Sequence, residues 1–154
     1  RIIYHLQGDF KKRWGKLAYW IAGFGEVTRE LEEFEVRVDG RICRASFALV
    51  TKVQNYGGDL RIARRVRLED DEFEVVLFSG RSGWRYLKYL AGAVSGGLEG
   101  MPGVTVLRAS HARIEGSPHV QVDGEYTGRG PCEVRIVPDA LTLLMPTRAT
   151  SASS

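Results

Sequence analysis

With 154 residues, 44% apolar and 27% charged, the sequence has the size and balance of one ordinary globular domain, long enough to bury a core. A net charge of +3 is too modest to argue for a polyanionic partner by itself, no apolar run approaches a membrane span, and the opening Arg1–Tyr4 stretch is not that of a signal peptide. Two cysteines, Cys43 and Cys132, without CxxC or CxxH neighbours, exclude a disulfide framework and argue against zinc. Both sit in strand-like runs and read as small buried hydrophobes in a reducing cytoplasm.

The first element in chain order is a helix that Asp9 can cap. Phe10, Trp14, Leu17, Ala18, Ile21 and Phe24 recur on one face at helical period, Lys11, Lys12, Arg13 and Lys16 lie mostly opposite, and Gly23 and Gly25 end it. Such a face reads as core packing. Phe34–Val38 then alternates cleanly, Asp39-Gly40 turns, and 41–52 runs back, which predicts a hairpin. Arg61, Arg64, Arg65 and Arg67 are followed at once by Glu69, Asp70, Asp71, Glu72 and Glu74. Such a run reads first as a solvated, self-compensating face, and second as a basic patch toward phosphate.

Glu72–Phe78 predicts a further strand. A short second helix follows Ser82, marked by Trp84, Leu87, Leu90, Ala91 and Val94. Gly96, Gly97, Gly100 and Gly103 with Pro102 make a flexible connection. Short strands are expected near 104–108, 112–115, 118–122, 132–137 and 140–145, with Asp123-Gly124 as a hairpin turn between 118–122 and 131–137. The tail, 147–154, lacks apolar anchors and is expected to be disordered. Many short strands and two helices predict a mainly β fold, a two-sheet β-sandwich-like domain with an N-terminal helix and one further short helix.

No generic motif completes an active site. His5, His111 and His119 lack metal-type spacing, although His111 and His119 fall in neighbouring strands and could meet. Gly80-Arg-Ser-Gly83 is no nucleophile elbow, and Gly23-Phe-Gly25 follows a helix, so a dinucleotide fingerprint fails. There is no P-loop. A nucleic-acid role rests only on the basic pI and one arginine cluster, without aromatic-basic recognition elements, so no nucleic-acid partner is expected.

Five stretches together carry more weight. Gly15 with Lys16-Leu-Ala-Tyr-Trp20, Asn55-Tyr-Gly-Gly58, Leu68–Val75, Val122-Asp-Gly-Glu125 and the Pro138–Pro146 ending, PDALTLLMP, occur in order over nearly the whole chain. This ordered set resembles the C-terminal domain of the bacterial diacylglycerol kinase and YegS-like lipid kinase family, related to the sphingosine and NAD kinases. In that family the Glu of a (L/V)DGE motif is the proposed catalytic base, a role the resemblance carries to Glu125. It likewise carries a magnesium ligand role to Asp70, with the backbone carbonyls of Arg67 and Glu72 as further ligands. Arg64 or Arg65 would meet anionic headgroups. Asp71, Asp59 and Arg64 depart from the family pattern where it has Gly, Gly and Pro.

The resemblance implies the lipid-facing half of an ATP- and Mg2+-dependent kinase acting on a lipid hydroxyl, cytoplasmic and peripheral to the membrane. Domain limits of 1–146 are expected. The family's Gly-Gly-Asp-Gly-Thr nucleotide loop has no counterpart, since Gly57-Gly58-Asp59 runs into Leu60. Together with an opening that lacks Met, this predicts a C-terminal domain from a longer protein, with ATP bound mainly by an upstream domain. Cofactor-binding residues within this chain are not identified. The alternative is a non-catalytic lipid-binding or regulatory β-module. The partners implied are a lipid substrate, ATP and a transient membrane surface, and exposed β-edges could pair in a homodimer.

Overall fold

A computed structural model describes residues 31–56, 60–63 and 65–142. The expected helix over 9–25, the residues 57–59, Arg64 and the tail lie outside the described residues.

β1 (Phe34–Val38) and β2 (Arg41–Ala45) form the expected hairpin, in register from Phe34↔Ala45 to Val38↔Arg41. Asp39 (φ 43°) and Gly40 (φ 83°) both take left-handed conformations, so the two-residue turn matches the twist of the strands. The Asp39 carboxylate also accepts the amides of Ser110 and His111, at 3.2 and 3.0 Å, which ties this turn to the next sheet crossing.

The returning run does not continue as one strand. It breaks at Ser46 and resumes as β3 (Phe47–Thr51) in a different sheet. Ser46 supplies the physical reason. Its amide donates to the Phe78 carbonyl, and its hydroxyl lies 2.6 Å from the Gly80 carbonyl and 2.8 Å from the Tyr86 hydroxyl. A corner residue with these partners passes the chain between layers with its polar groups satisfied. The short pair β4 (Asn55–Tyr56) and β5 (Leu60–Arg61) follows.

β6 (Phe73–Phe78) is the centre of the molecule, and all six of its residues are buried. It pairs antiparallel with β3 on one side and with β7 (Val104–Ala109) on the other. Phe73, Val75 and Leu77 face the four-stranded sheet, packing with Val36, Val38, Ala45, Ala112 and Ile114. Val76 and Phe78 face the opposite way, against Leu49, Tyr89, Ala93 and Leu98. A strand covered on both faces reads as a continuous apolar run. The exception is Glu74, only 1% exposed, whose Oε2 accepts the Arg65 amide at 3.0 Å. Glu74 therefore leaves the solvated acidic run in which its charge would place it.

The order of layers is thus four-stranded sheet, three-stranded sheet, helix. The helix, α1 (Gly83–Ser95), follows Ser82 as expected and ends at Gly96 (φ 78°), with Gly97 N–H donating to the Gly92 carbonyl. Its buried face differs from the apolar positions in the sequence. Tyr89 and Ala93 are buried, whereas Trp84 is 72% exposed and Ala91 is exposed. The side chains of Leu90 and Val94 lie outside the described residues. Tyr89 can be buried because its hydroxyl donates to the Ser79 carbonyl at 2.9 Å, while its ring packs 5.3 Å from Phe78. Burial pushes the Tyr86 phenol up to about 12. The glycine-rich connection contains a single 3-10 turn, Leu98–Gly100, with Leu98 in the helix-side core.

Beyond β7 come β8 (His111–Ile114), β9 (His119–Val122), β10 (Glu125–Arg129) and β11 (Cys132–Arg135). The first sheet runs in the order β11-β8-β1-β2. Two expectations need correction. The strand before Asp123-Gly124, β9, pairs not with 131–137 but with β10, and β11 joins β8 instead. Ala140–Thr142 are not strand, Asp139 having a positive φ of 53° just before them, and 143–145 lie outside the described residues. Both cysteines are free and half-buried at the edge of the first core. Burial pushes the Cys132 thiol up. Among the described residues no helix is long and apolar enough to cross a membrane.

Candidate functional site

Glu125 owes its position to a tight turn. Asp123 (φ 52°) and Gly124 (φ 90°) repeat the left-handed pair of the first hairpin, so Glu125 opens β10 directly opposite Val122. The carboxylate is exposed, and no hydrogen bond or ion pair holds it among the described residues. Its neighbours on the hairpin are polar. His119 Nδ1 lies 3.3 Å from the Tyr126 hydroxyl, and Arg129 donates to His119 Nε2 at 3.0 Å, so His119 and Arg129 bracket the hairpin's open end. This cluster was not visible in the sequence, because β10 has no apolar alternation to mark it as a strand. His111 is bound elsewhere, 3.1 Å from Glu133 on β11, so the two histidines belong to different sheets.

The second candidate region is the turn at 67–70 that leads into β6. It is closed on itself: Asp70 N–H donates to the Arg67 carbonyl at 3.1 Å, and Arg67 N–H donates to Asp70 Oδ2 at 3.0 Å. Two cations from distant strands complete it. Arg108 on β7 donates to the same Asp70 Oδ2 at 2.8 Å and pairs through Nε with Glu72 at 2.9 Å. Lys52 Nζ donates to the Asp70 carbonyl at 2.6 Å. Arg67 and Glu69 form a looser pair at 3.8 Å.

Magnesium prefers an octahedral set of oxygens and retains several waters. Two of the three expected donors, the Asp70 side chain and the Arg67 carbonyl, are already engaged within the protein. Asp70 Oδ2 already accepts an amide and a guanidinium, the Arg67 carbonyl is turned into the loop's own hydrogen bond, and an ammonium stands beside the Asp70 carbonyl. Among the described residues no group of three or more His, Cys, Asp or Glu side chains could hold a metal ion.

The sequence brings Glu125, Asp70, Arg67 and Glu72 together only as motif positions. In the fold, Asp70, Arg67 and Glu72 share one turn against β7, while Glu125 projects from a separate two-stranded sheet, with no hydrogen bond or ion pair joining the two among the described residues. Arg65 is engaged with Glu99, and Arg64 and Asp59 lie outside the described residues.

Solved structures share this architecture. A presumptive diacylglycerol kinase from Bacillus anthracis str. Sterne superposes with a TM-score of 0.56 at 19% identity, over 73% of this chain and 42% of that one. A second structure, described as of diacylglycerol kinases from the same organism, gives 0.56 at 20% identity, over 82% of this chain and 45% of that one. At such identities the likeness speaks for the fold. The chain spans less than half the length of these neighbours. No curated protein matches it. The family model of the YegS C-terminal NAD kinase beta sandwich-like domain matches residues 4–145, nearly the entire chain, and the chain belongs to that family.

Proposed function

We propose that this chain is the lipid-facing half of an ATP-dependent kinase that transfers a phosphoryl group to a lipid hydroxyl of the diacylglycerol type. The observation that supports this most is the placement of Glu125, an exposed carboxylate without a partner among the described residues and directly after a two-residue turn, at the family's proposed base. In this reading Glu125 accepts the proton of the lipid hydroxyl as its oxygen attacks the γ-phosphorus of ATP. One P–O bond forms, the bridging P–O bond to the β-phosphate breaks, and ADP leaves. A nucleotide-binding part outside this chain holds ATP, whose phosphates bring magnesium with them. Transition-state charge has to be met from both parts, so the isolated chain is inactive. The protein works at the cytoplasmic membrane surface as a peripheral visitor, with Arg65 at the headgroup level.

The test is phosphorylation of a lipid panel by the full-length protein and by its Glu125→Gln variant. The expected result is loss of turnover by about a hundredfold or more with the fold intact, in line with the usual worth of a general base. Full activity in the variant removes Glu125 from this role.

The second reading, a lipid-binding or regulatory β-module, draws on the pairing of Asp70 with Arg108 and Lys52, which leaves this turn saturated. Lipid binding by the full-length protein without any ATP turnover would decide for it.

A further inference from the structure

We infer that the guanidinium of Arg108 is the resident cation of the turn at 67–72, so that this turn is held without a divalent ion. The argument is one of charge and valence. Asp70 and Glu72 present two carboxylates toward β7, and Arg108 bridges them, NH2 to Asp70 at 2.8 Å and Nε to Glu72 at 2.9 Å. A planar fork that spans two carboxylates does the geometric work of a bridging ion, fixing the distance between two anionic groups. Lys52 adds a second positive charge 2.6 Å from the Asp70 carbonyl. Over 67–72, the three cations Arg67, Arg108 and Lys52 face the four carboxylates Glu69, Asp70, Asp71 and Glu72, which leaves a single net negative charge before any metal arrives. A divalent ion at Asp70 Oδ2 would have to displace an arginine already bonded and compete with the Arg67 amide, with an ammonium beside the Asp70 carbonyl.

The placement of Arg108 is fixed by the fold. It lies on β7 directly across from Glu74 of β6, so its backbone is held by the central sheet while its side chain reaches back over the entry to β6. Asp70, with a side chain 22% exposed, is the better shielded of the two carboxylates. This inference does not depend on the kinase reading, since it concerns what holds a loop and not what the loop serves.

The experiment uses the 154-residue chain with Mn2+ as a paramagnetic probe for Mg2+. Electron paramagnetic resonance titration should show no saturable Mn2+ binding up to about 1 mM, a range in which a built carboxylate site for such an ion would fill. Hydrogen exchange over 67–72 should be the same in EDTA and in Mg2+ at matched ionic strength. In Arg108→Gln the same segment should exchange about tenfold faster while β6 is unchanged, since loss of the bridge opens the turn locally. Saturable Mn2+ binding by the unaltered chain that disappears in Asp70→Asn overturns the inference, and so does unchanged exchange at 67–72 in Arg108→Gln. The Mn2+ titration needs no variant and stands even if Arg108→Gln does not fold.

Discussion

β6 and the two strands of the β9–β10 hairpin are all antiparallel and four to six residues long but meet opposite fates. β6 has all six residues buried between a sheet and a helix. The hairpin leaves Val122 56% and Tyr126 59% exposed and contributes nothing to either core. A two-stranded ribbon is marginal in water by itself, so this one depends on tight turn chemistry and on its polar clasp. The contrast shows a division of labour: the buried strand supplies stability, and the exposed one presents a charged group that no other described residue pairs with.

The comparison can be broken most severely at β6. Phe73→Ala should cost about 3–5 kcal/mol, the usual range for removing a buried aromatic ring, read by urea unfolding. Tyr126→Ala on the hairpin should cost less than about 1 kcal/mol in the same assay, as an exposed position does. A larger loss at Tyr126 than at Phe73 would invert the division.

Glu74→Ala probes a polar group inside the stable region. It takes the acceptor from the Arg65 amide and should cost about 1–3 kcal/mol, with Glu74→Gln recovering part of it. Gly124→Ala probes the hairpin. At φ 90° an alanine is strained by about 1 kcal/mol, visible as faster amide exchange in β9 and β10 with little change in global melting.

The smallest effect concerns alkali. Burial holds the Tyr86 phenol neutral up to about 12, against 10.0 for an ordinary tyrosine. The unfolded chain therefore ionises first. Stability from this group is complete below about pH 10 and is lost as the pH rises toward 12. Melting followed over that interval should fall, and Tyr86→Phe should fall less steeply.

The sequence was legible wherever a signal was local. Phe34–Val38, its Asp-Gly turn and the apolar β6 all stand as expected, because alternation and turn residues act over a few positions. The crossing at Ser46 was not legible, since the residues on both sides of it suit a strand and only its partners at Phe78 and Gly80 show the change of sheet. Trp84 misled because apolar character was spread around the helix, and burial was decided by which tyrosine hydroxyl found carbonyls. At the candidate site the turn under Glu125 could be read from Asp-Gly. The partners of Asp70 could not, for Lys52 and Arg108 lie 18 and 38 residues away. An arginine in the otherwise mostly apolar Val104–Ala109 strand was the one hint that something acidic faces it.

The connection through α1 has a consequence for the order of assembly. Tyr89 donates to carbonyls at both ends of that connection, Ser79 leaving β6 and Pro102 approaching β7, so the helix closes a unit that is contiguous in sequence. The four-stranded sheet must instead recruit β1 to β8 across more than half the described chain. Loop-closure entropy favours near partners, and the β6–α1–β7 unit is therefore the natural nucleus, onto which the outer sheet condenses. Substitutions at Val76 or Ala93 should then slow folding, whereas those at Val36 or Ile114 should chiefly speed unfolding, a difference that stopped-flow chevrons resolve.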